Sequence, residues 1–171
     1  FLAGHSMGGW VAQAVAAIAP KQISKLVLIN TWATPDPKII YLQKQVEKAL
    51  KEGRFLETLQ QHLSLLVHPN RQKDVALLES LKTMITSFSL EVLIRQLDAM
   101  LEDYSSLHLH HAIEAPTLVV HSRDDQLFPT KELQAIATGI KNSQLAIIEN
   151  TGHACTLERP EIITSLMTSF I

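Results

Sequence analysis

The chain has 171 residues, of which 46% are hydrophobic, and it carries a formal net charge of −2. This size and apolar share suit one soluble domain with a buried core, whereas the near-neutral charge gives no support for nucleic acid or an anionic membrane surface as a partner. The single cysteine, Cys155, excludes an internal disulfide and favours a reducing compartment, so we expect a cytoplasmic protein without membrane spans.

The predicted elements near both ends of the chain alternate between helices and strands. Val11–Ile18 is an Ala-rich helix that ends before Pro20, and continuous apolar runs at Lys25–Ile29, Thr117–His121 and Leu145–Ile148 indicate strands that are covered on both faces. Two more helices are predicted late in the chain, at Lys131–Ile140 and Glu161–Phe170. Strands that alternate with helices predict a parallel sheet and an α/β fold.

A long helical segment separates the first two of these strands. From Ile39 to Asp103, apolar residues recur at helical spacing in four stripes, which we interpret as the packing faces of four helices. We therefore divide the chain into a first core part at residues 1–31, an inserted helical segment at 32–112 and a second core part at 113–171. The spacing does not tell which apolar side chains of this segment face a ligand instead of a neighbouring helix.

The most informative motif stands at the start of the chain. Gly4-His5-Ser6-Met7-Gly8 fits G-x-S-x-G, in which a serine occupies a sharp strand-to-helix turn and holds its hydroxyl out towards a histidine. The flanking glycines are expected to be necessary because a Cβ there would collide with the neighbouring strand and helix. Only three residues precede the motif, so we expect the C-terminal part of an enzyme that is accompanied by its missing portion or self-associates along the open sheet edge.

Two further reactive positions follow predicted strands. Asp124 and Asp125 come after the second strand and His153 comes after the third, and together with Ser6 they lie where parallel sheets bind their ligands. The chain order is serine, aspartate, histidine. The histidine would take the proton of the serine and return it to the leaving group, an aspartate would orient the imidazole, and the N–H of Met7 would receive the oxyanion.

These motifs resemble the α/β-hydrolase superfamily over essentially the whole chain. Besides the serine motif, Pro116–Pro129 resembles the strand and loop that bear the acid, and Gly152–Phe170 resembles the histidine loop and last helix. Within the superfamily, the chain is most similar to the branch of 3-oxoadipate enol-lactonases, meta-cleavage-product hydrolases and small carboxylesterases. The resemblance implies a hydrolase with a helical cap, no cofactor, and four more strands with an oxyanion loop outside this chain. It places the acid at Asp125, four residues before the last proline of its stretch, and makes Asp124 a turn residue. Ser122 departs from the glycine that the family usually has there.

The expected substrate is a small ester, a lactone or a related acyl or C–C compound that Ser6 attacks to form an acyl-enzyme. Five residues beside the triad or at strand ends are candidates for the substrate wall: His5, Trp32, Leu127, Phe128 and Ala154. No metal site is expected, since His108, His110 and His111 match no zinc spacing and are interpreted as a solvated helix or loop end. Two alternatives stay open, namely a ligand-binding receptor of the same fold and an inactive fragment that lacks the oxyanion loop.

Overall fold

The computed structural model describes residues 1–102 and 105–171. Within this part of the chain, four parallel strands form one sheet in the order β1-β2-β3-β4. The strands are β1 (Leu2–His5), β2 (Leu26–Ile29), β3 (Thr117–Ser122) and β4 (Ser143–Ile148). The predicted parallel α/β arrangement is therefore confirmed.

The helices flank this sheet or lie between β2 and β3. In chain order they are α1 (Met7–Ile18), α2 (Pro37–Lys51), α3 (Phe55–His62), α4 (Val75–Thr86), α5 (Leu90–Leu101), α6 (Thr130–Gly139), α7 (Cys155–Glu158) and α8 (Pro160–Phe170). Helices α2 to α5 belong to the inserted segment, and Asp103, with which the predicted helical block ends, lies outside the described residues. None of the helices in the described ranges has the length and apolar character that crossing a membrane would require.

The sheet is covered on both faces, which explains the uninterrupted apolar sequence of its central strands. Leu26 and Leu28 of β2 enter one buried cluster with α1 and α6, whereas Val27 and Ile29 enter a second cluster with α8. Successive side chains of a strand point to opposite faces, so a strand that is buried on both sides needs an apolar residue at every position. The same packing fixes the carboxyl ends of the strands, from which the site is built.

Strand β1 lies at one edge of the sheet and pairs with β2. The outward face of α1 beside it carries three exposed apolar residues, Val11, Val15 and Ile18. The predicted pairing along the open edge of the sheet at β1 stays a prediction.

The two glycines that the serine motif prescribes differ in what surrounds them. A Cβ on Gly4 would lie 2.3 Å from the carbonyl oxygen of Gly8, whereas a Cβ on Gly8 would meet nothing within 4 Å. The next residue, Gly9, is the second crowded position, since its Cβ would lie 2.6 Å from the Cβ of Thr31. The expectation that both flanking glycines avoid a collision is therefore correct for Gly4 and wrong for Gly8.

Replacing Gly4 with alanine is expected to lower the free energy of unfolding by about 3 kcal/mol, the upper end of the usual cost of overpacking, because the new methyl meets backbone that cannot rotate away. Gly8→Ala is the matched control and should leave stability unchanged or raise it by up to about 1 kcal/mol, since alanine favours a helix. Urea unfolding of both variants measures the difference. Equal stability of the two variants would contradict the close approach at Gly4.

The three neighbouring histidines are not all solvated. His108 and His111 are exposed, but His110 is 2% exposed and its Nε2 donates to Oε1 of buried Gln13 over 2.8 Å. Burial lowers the pKa of His110 to about 4, so the ring is neutral near neutral pH. The prediction of a solvated cluster is thus wrong for His110, whose ring packs against Gly139 and joins the inserted segment to α1. No group of three or more His, Cys, Asp or Glu residues in the described structure is arranged to hold a metal ion.

Candidate active site

Ser6 occupies the turn between β1 and α1 in a conformation that L-residues rarely adopt. Its φ is 54° and its ψ is −123°, and such backbone strain persists where the surroundings fix it. Its N–H donates to the carbonyl of Ile29 over 3.0 Å, and its own carbonyl accepts from the hydroxyl of Thr31 and the N–H of Gly9. Contacts to the backbone therefore set the position of the hydroxyl.

His153 joins the serine to an aspartate. Its Nε2 lies 3.0 Å from Oγ of Ser6, and its Nδ1 lies 2.8 Å from Oδ2 of Asp125. An ionised carboxylate only accepts hydrogen bonds, so Nδ1 carries the proton and Nε2 remains an acceptor for the serine hydroxyl. The side chains of His153 and Asp125 are 6% and 0% exposed, so both contacts are shielded from solvent. This is the arrangement that removal of a proton from serine requires.

The two adjacent aspartates have different partners. Oδ1 of Asp125 accepts the N–H groups of Leu127 and Phe128 over 2.8 and 3.2 Å, which holds the carboxylate while Oδ2 faces the imidazole. Oδ2 of Asp124 instead lies 3.6 Å from Nε2 of His68, a buried residue of the inserted segment. The structure thus brings Asp125 to the imidazole, as the resemblance implied, and directs Asp124 elsewhere.

Asn30 connects the end of β2 to the end of β3 and to the loop of His153 through hydrogen bonds of its side chain. Sequence reasoning did not single out this residue. It follows β2 with a φ of 40° and is fully buried. Its Nδ2 donates to the carbonyl of His153 and to Oγ of Ser122, both over 2.9 Å, and its Oδ1 accepts the N–H of Ser122 over 2.8 Å. The hydroxyl of Ser122, where the family usually has glycine, is therefore a partner in this network. The only signal in the sequence is a polar residue at the end of a buried strand.

His5 lies behind the imidazole and not in the substrate wall. Its Nε2 lies 2.9 Å from the carbonyl oxygen of His153, which can only accept, so Nε2 carries the proton. Burial and the nearby His153 ring lower the pKa of His5 to about 4, and its ring therefore stays neutral near neutral pH. The prediction of a substrate contact is corrected accordingly: His5 supports the backbone of His153 and is not among the residues that line the cavity.

The histidine loop is also joined to the inserted segment through one carboxylate. Glu158 is buried, and its two oxygens accept the N–H groups of Gly152 and His68 over 2.9 and 3.0 Å. The N–H of Ala154 donates to the carbonyl of Leu66 over 2.7 Å. Ala154 packs into the apolar cluster of α3 and α4 and does not line the cavity, which corrects its predicted place in the substrate wall.

A cavity of about 290 Å³ opens onto Ser6 and His153. Of the predicted wall residues, Trp32, Leu127 and Phe128 line it, and the rings of Trp32 and Phe128 stack with their centroids 5.0 Å apart. Most of the remaining wall comes from apolar side chains of α2, α3 and α5. Part of what the sequence analysis interpreted as helix packing therefore faces the cavity.

The backbone N–H of Met7 and the thiol of Cys155 are two further groups near the site. Met7 is the first residue of α1, and the first N–H groups of a helix lack an acceptor within that helix, so its N–H is suited to a developing negative charge. Burial raises the pKa of the Cys155 thiol to about 12, so this cysteine stays protonated and does not compete as a nucleophile.

A parallel sheet with a serine at a strand-to-helix turn, and with an acid and a histidine after later strands, is the architecture of an α/β-hydrolase enzyme. The chain belongs to the Hydrolase_4 family, described as serine aminopeptidase, S33, whose model matches residues 1–160.

Relatives and solved structures agree with this membership. The chain is 27% identical over 161 residues to the candidate carbamate hydrolase RutD of Pseudomonas savastanoi pv. phaseolicola. The alignment covers 92% of this chain and 61% of the relative. It is 30% identical over 186 aligned positions to monoacylglycerol lipase abhd6-B of Xenopus laevis, and this alignment covers 99% of this chain and 54% of the relative. A thermophilic esterase from Thermogutta terrifontis superposes with a TM-score of 0.87 at 28% identity, and the superposition covers 98% of this chain and 62% of the esterase chain. The chain thus spans 54% to 62% of the length of these three proteins.

Proposed function

We propose that the protein is a serine hydrolase that cleaves a small ester, a lactone or a related acyl compound through an acyl-enzyme. The observation that carries the proposal is the chain of two contacts from Oγ of Ser6 through the imidazole of His153 to Asp125, at 3.0 and 2.8 Å. A serine hydroxyl becomes a useful nucleophile only when a base within this distance accepts its proton.

The reaction would proceed in two halves. Ser6 attacks the carbonyl carbon while Nε2 of His153 takes the hydroxyl proton, and the N–H of Met7 donates to the oxyanion that forms. The imidazolium, stabilised by Asp125, then protonates the leaving group, and the acyl-enzyme remains. Water attacks the acyl carbon with His153 as base, and the acid product leaves with Ser6 restored.

The substrate is expected to be small and largely apolar. A cavity of about 290 Å³ has room for about ten water-sized groups at about 30 Å³ each. The segment 32–112, which supplies most of the wall, would act as the cap that selects among acyl compounds, and no cofactor takes part in the proposed steps. The names of the relatives, a candidate carbamate hydrolase and a monoacylglycerol lipase, both denote cleavage at a carbonyl carbon.

A serine-directed phosphonate tests the proposal. The intact protein is incubated with a fluorophosphonate, digested and analysed by mass spectrometry, and its turnover of short-chain p-nitrophenyl esters is measured in parallel. We expect a covalent adduct on Ser6 and hydrolysis that the phosphonate abolishes. Saturable binding of the esters without adduct or turnover would overturn the proposal and favour a receptor of this fold instead.

A further inference from the structure

One polar atom in the mostly apolar wall of the cavity has no hydrogen-bond partner among the described residues. Gln43 of α2 lines the cavity, and its Oε1 is buried without a hydrogen bond among the described residues. An unpaired buried carbonyl oxygen destabilises the fold, so native structures contain few of them. Its position in the cavity wall makes a ligand the natural partner.

The orientation of the Gln43 amide follows from its neighbour. Nε2 lies 3.5 Å from Sδ of Met100 on α5. A thioether sulfur accepts hydrogen bonds but cannot donate them, so the amide must turn its N–H towards Met100 and its oxygen away from it. The reversed amide would oppose two acceptors. The group without a partner among the described residues is therefore an acceptor and requires a donor.

The other side chains of the cavity wall bear on the charge of that donor. Nδ1 of His62 lies 2.7 Å from the carbonyl of Thr58, which can only accept, so Nδ1 carries a proton. His62 also lines the cavity, whereas no Asp, Glu, Lys or Arg does in the described structure. An ammonium donor would be buried without a counter-charge, so a neutral donor fits better.

We propose that Gln43 is a specificity-determining residue whose Oε1 accepts a hydrogen bond from a hydroxyl of the substrate. The substrate is then an ester or related acyl compound that bears a hydroxyl group away from the scissile bond. This inference rests on the proposed function. It explains why an amide stands among the apolar residues of α2 that face the cavity.

The test compares p-nitrophenyl hexanoate with a series that carries one hydroxyl at successive carbons of the acyl chain. We expect the intact protein to favour at least one hydroxylated ester, and we expect Gln43→Met to lower that ratio of kcat/KM by about tenfold to a hundredfold, because the acceptor is lost. Gln45→Met is the matched control, since Gln45 is exposed on the same helix, and it should keep the ratio of the unmodified protein.

Binding to the Ser6→Ala variant separates this inference from the proposed function. Calorimetry with the same esters should show the hydroxyl preference, and adding Gln43→Met should remove it. A missing preference across the series, or an equal change in all esters with Gln43→Met, would overturn the role of Gln43 while hydrolysis remained established. Hydroxyl-selective binding with no turnover by the intact protein would instead retain Gln43 and refute the hydrolase.

Discussion

Replacing Ser6 with alanine is expected to lower kcat on a short-chain p-nitrophenyl ester by about 10⁴-fold or more, because the reaction loses its nucleophile and the other groups act only through it. The backbone bonds that hold the turn do not involve the hydroxyl, so the fold should persist. Steady-state kinetics on the intact protein measure the loss, and circular dichroism verifies the fold.

Ser165→Ala provides the control for this variant, since Ser165 is exposed on α8. It should keep both the activity and the phosphonate adduct of the unmodified protein. Turnover within tenfold of normal in Ser6→Ala would mean that another residue attacks the substrate, and the proposed mechanism would then be abandoned.

The second large effect is expected at the acid. Asp125→Asn should lower kcat by about 10³- to 10⁴-fold, because the new amide can present an N–H to Nδ1 of His153 and stabilise the tautomer that cannot take the serine proton. The remaining oxygen can still accept the N–H groups of Leu127 and Phe128, so the loop should keep its shape. Kinetics with the chromogenic ester, together with thermal unfolding, distinguish lost chemistry from lost structure.

The adjacent residue offers a matched comparison. Asp124→Asn changes the same group one position earlier, where the carboxylate lies 3.6 Å from His68 and not against the imidazole. Its kcat should stay within about threefold of normal, because the contact of this carboxylate is with His68 and that of Asp125 is with the imidazole of His153. A larger loss at Asp124 than at Asp125 would transfer the orienting role to Asp124.

The sequence allowed prediction of the sheet and of where its reactive residues lie. Ser6 and His153 could be assigned because a strand-to-helix motif and the ends of apolar strands have fixed places in a parallel sheet. The choice between Asp124 and Asp125 came from resemblance, since both follow the same strand and only the turn decides which faces inwards. Two adjacent residues of the same type therefore do not reveal which of their side chains the turn directs towards the imidazole.

Other features depend on contacts between distant segments. The role of Asn30 requires the ends of β2, β3 and the histidine loop to meet, and its positive φ aims the amide at them. Helical periodicity predicted the apolar face of Leu42 and Leu97 but could not say whether it meets a helix or a cavity. His110 looked solvated beside two exposed histidines because its partner Gln13 lies far away in sequence.

The carboxylate of Glu158 limits how far the histidine loop and the inserted segment can separate. Because it accepts the N–H groups of Gly152 and His68 at once, separating these two backbones would leave its oxygens without these donors, at a cost of about 1–3 kcal/mol. The histidine loop and the inserted segment are therefore expected to stay together at this corner when a substrate enters, so that the imidazole of His153 keeps its alignment.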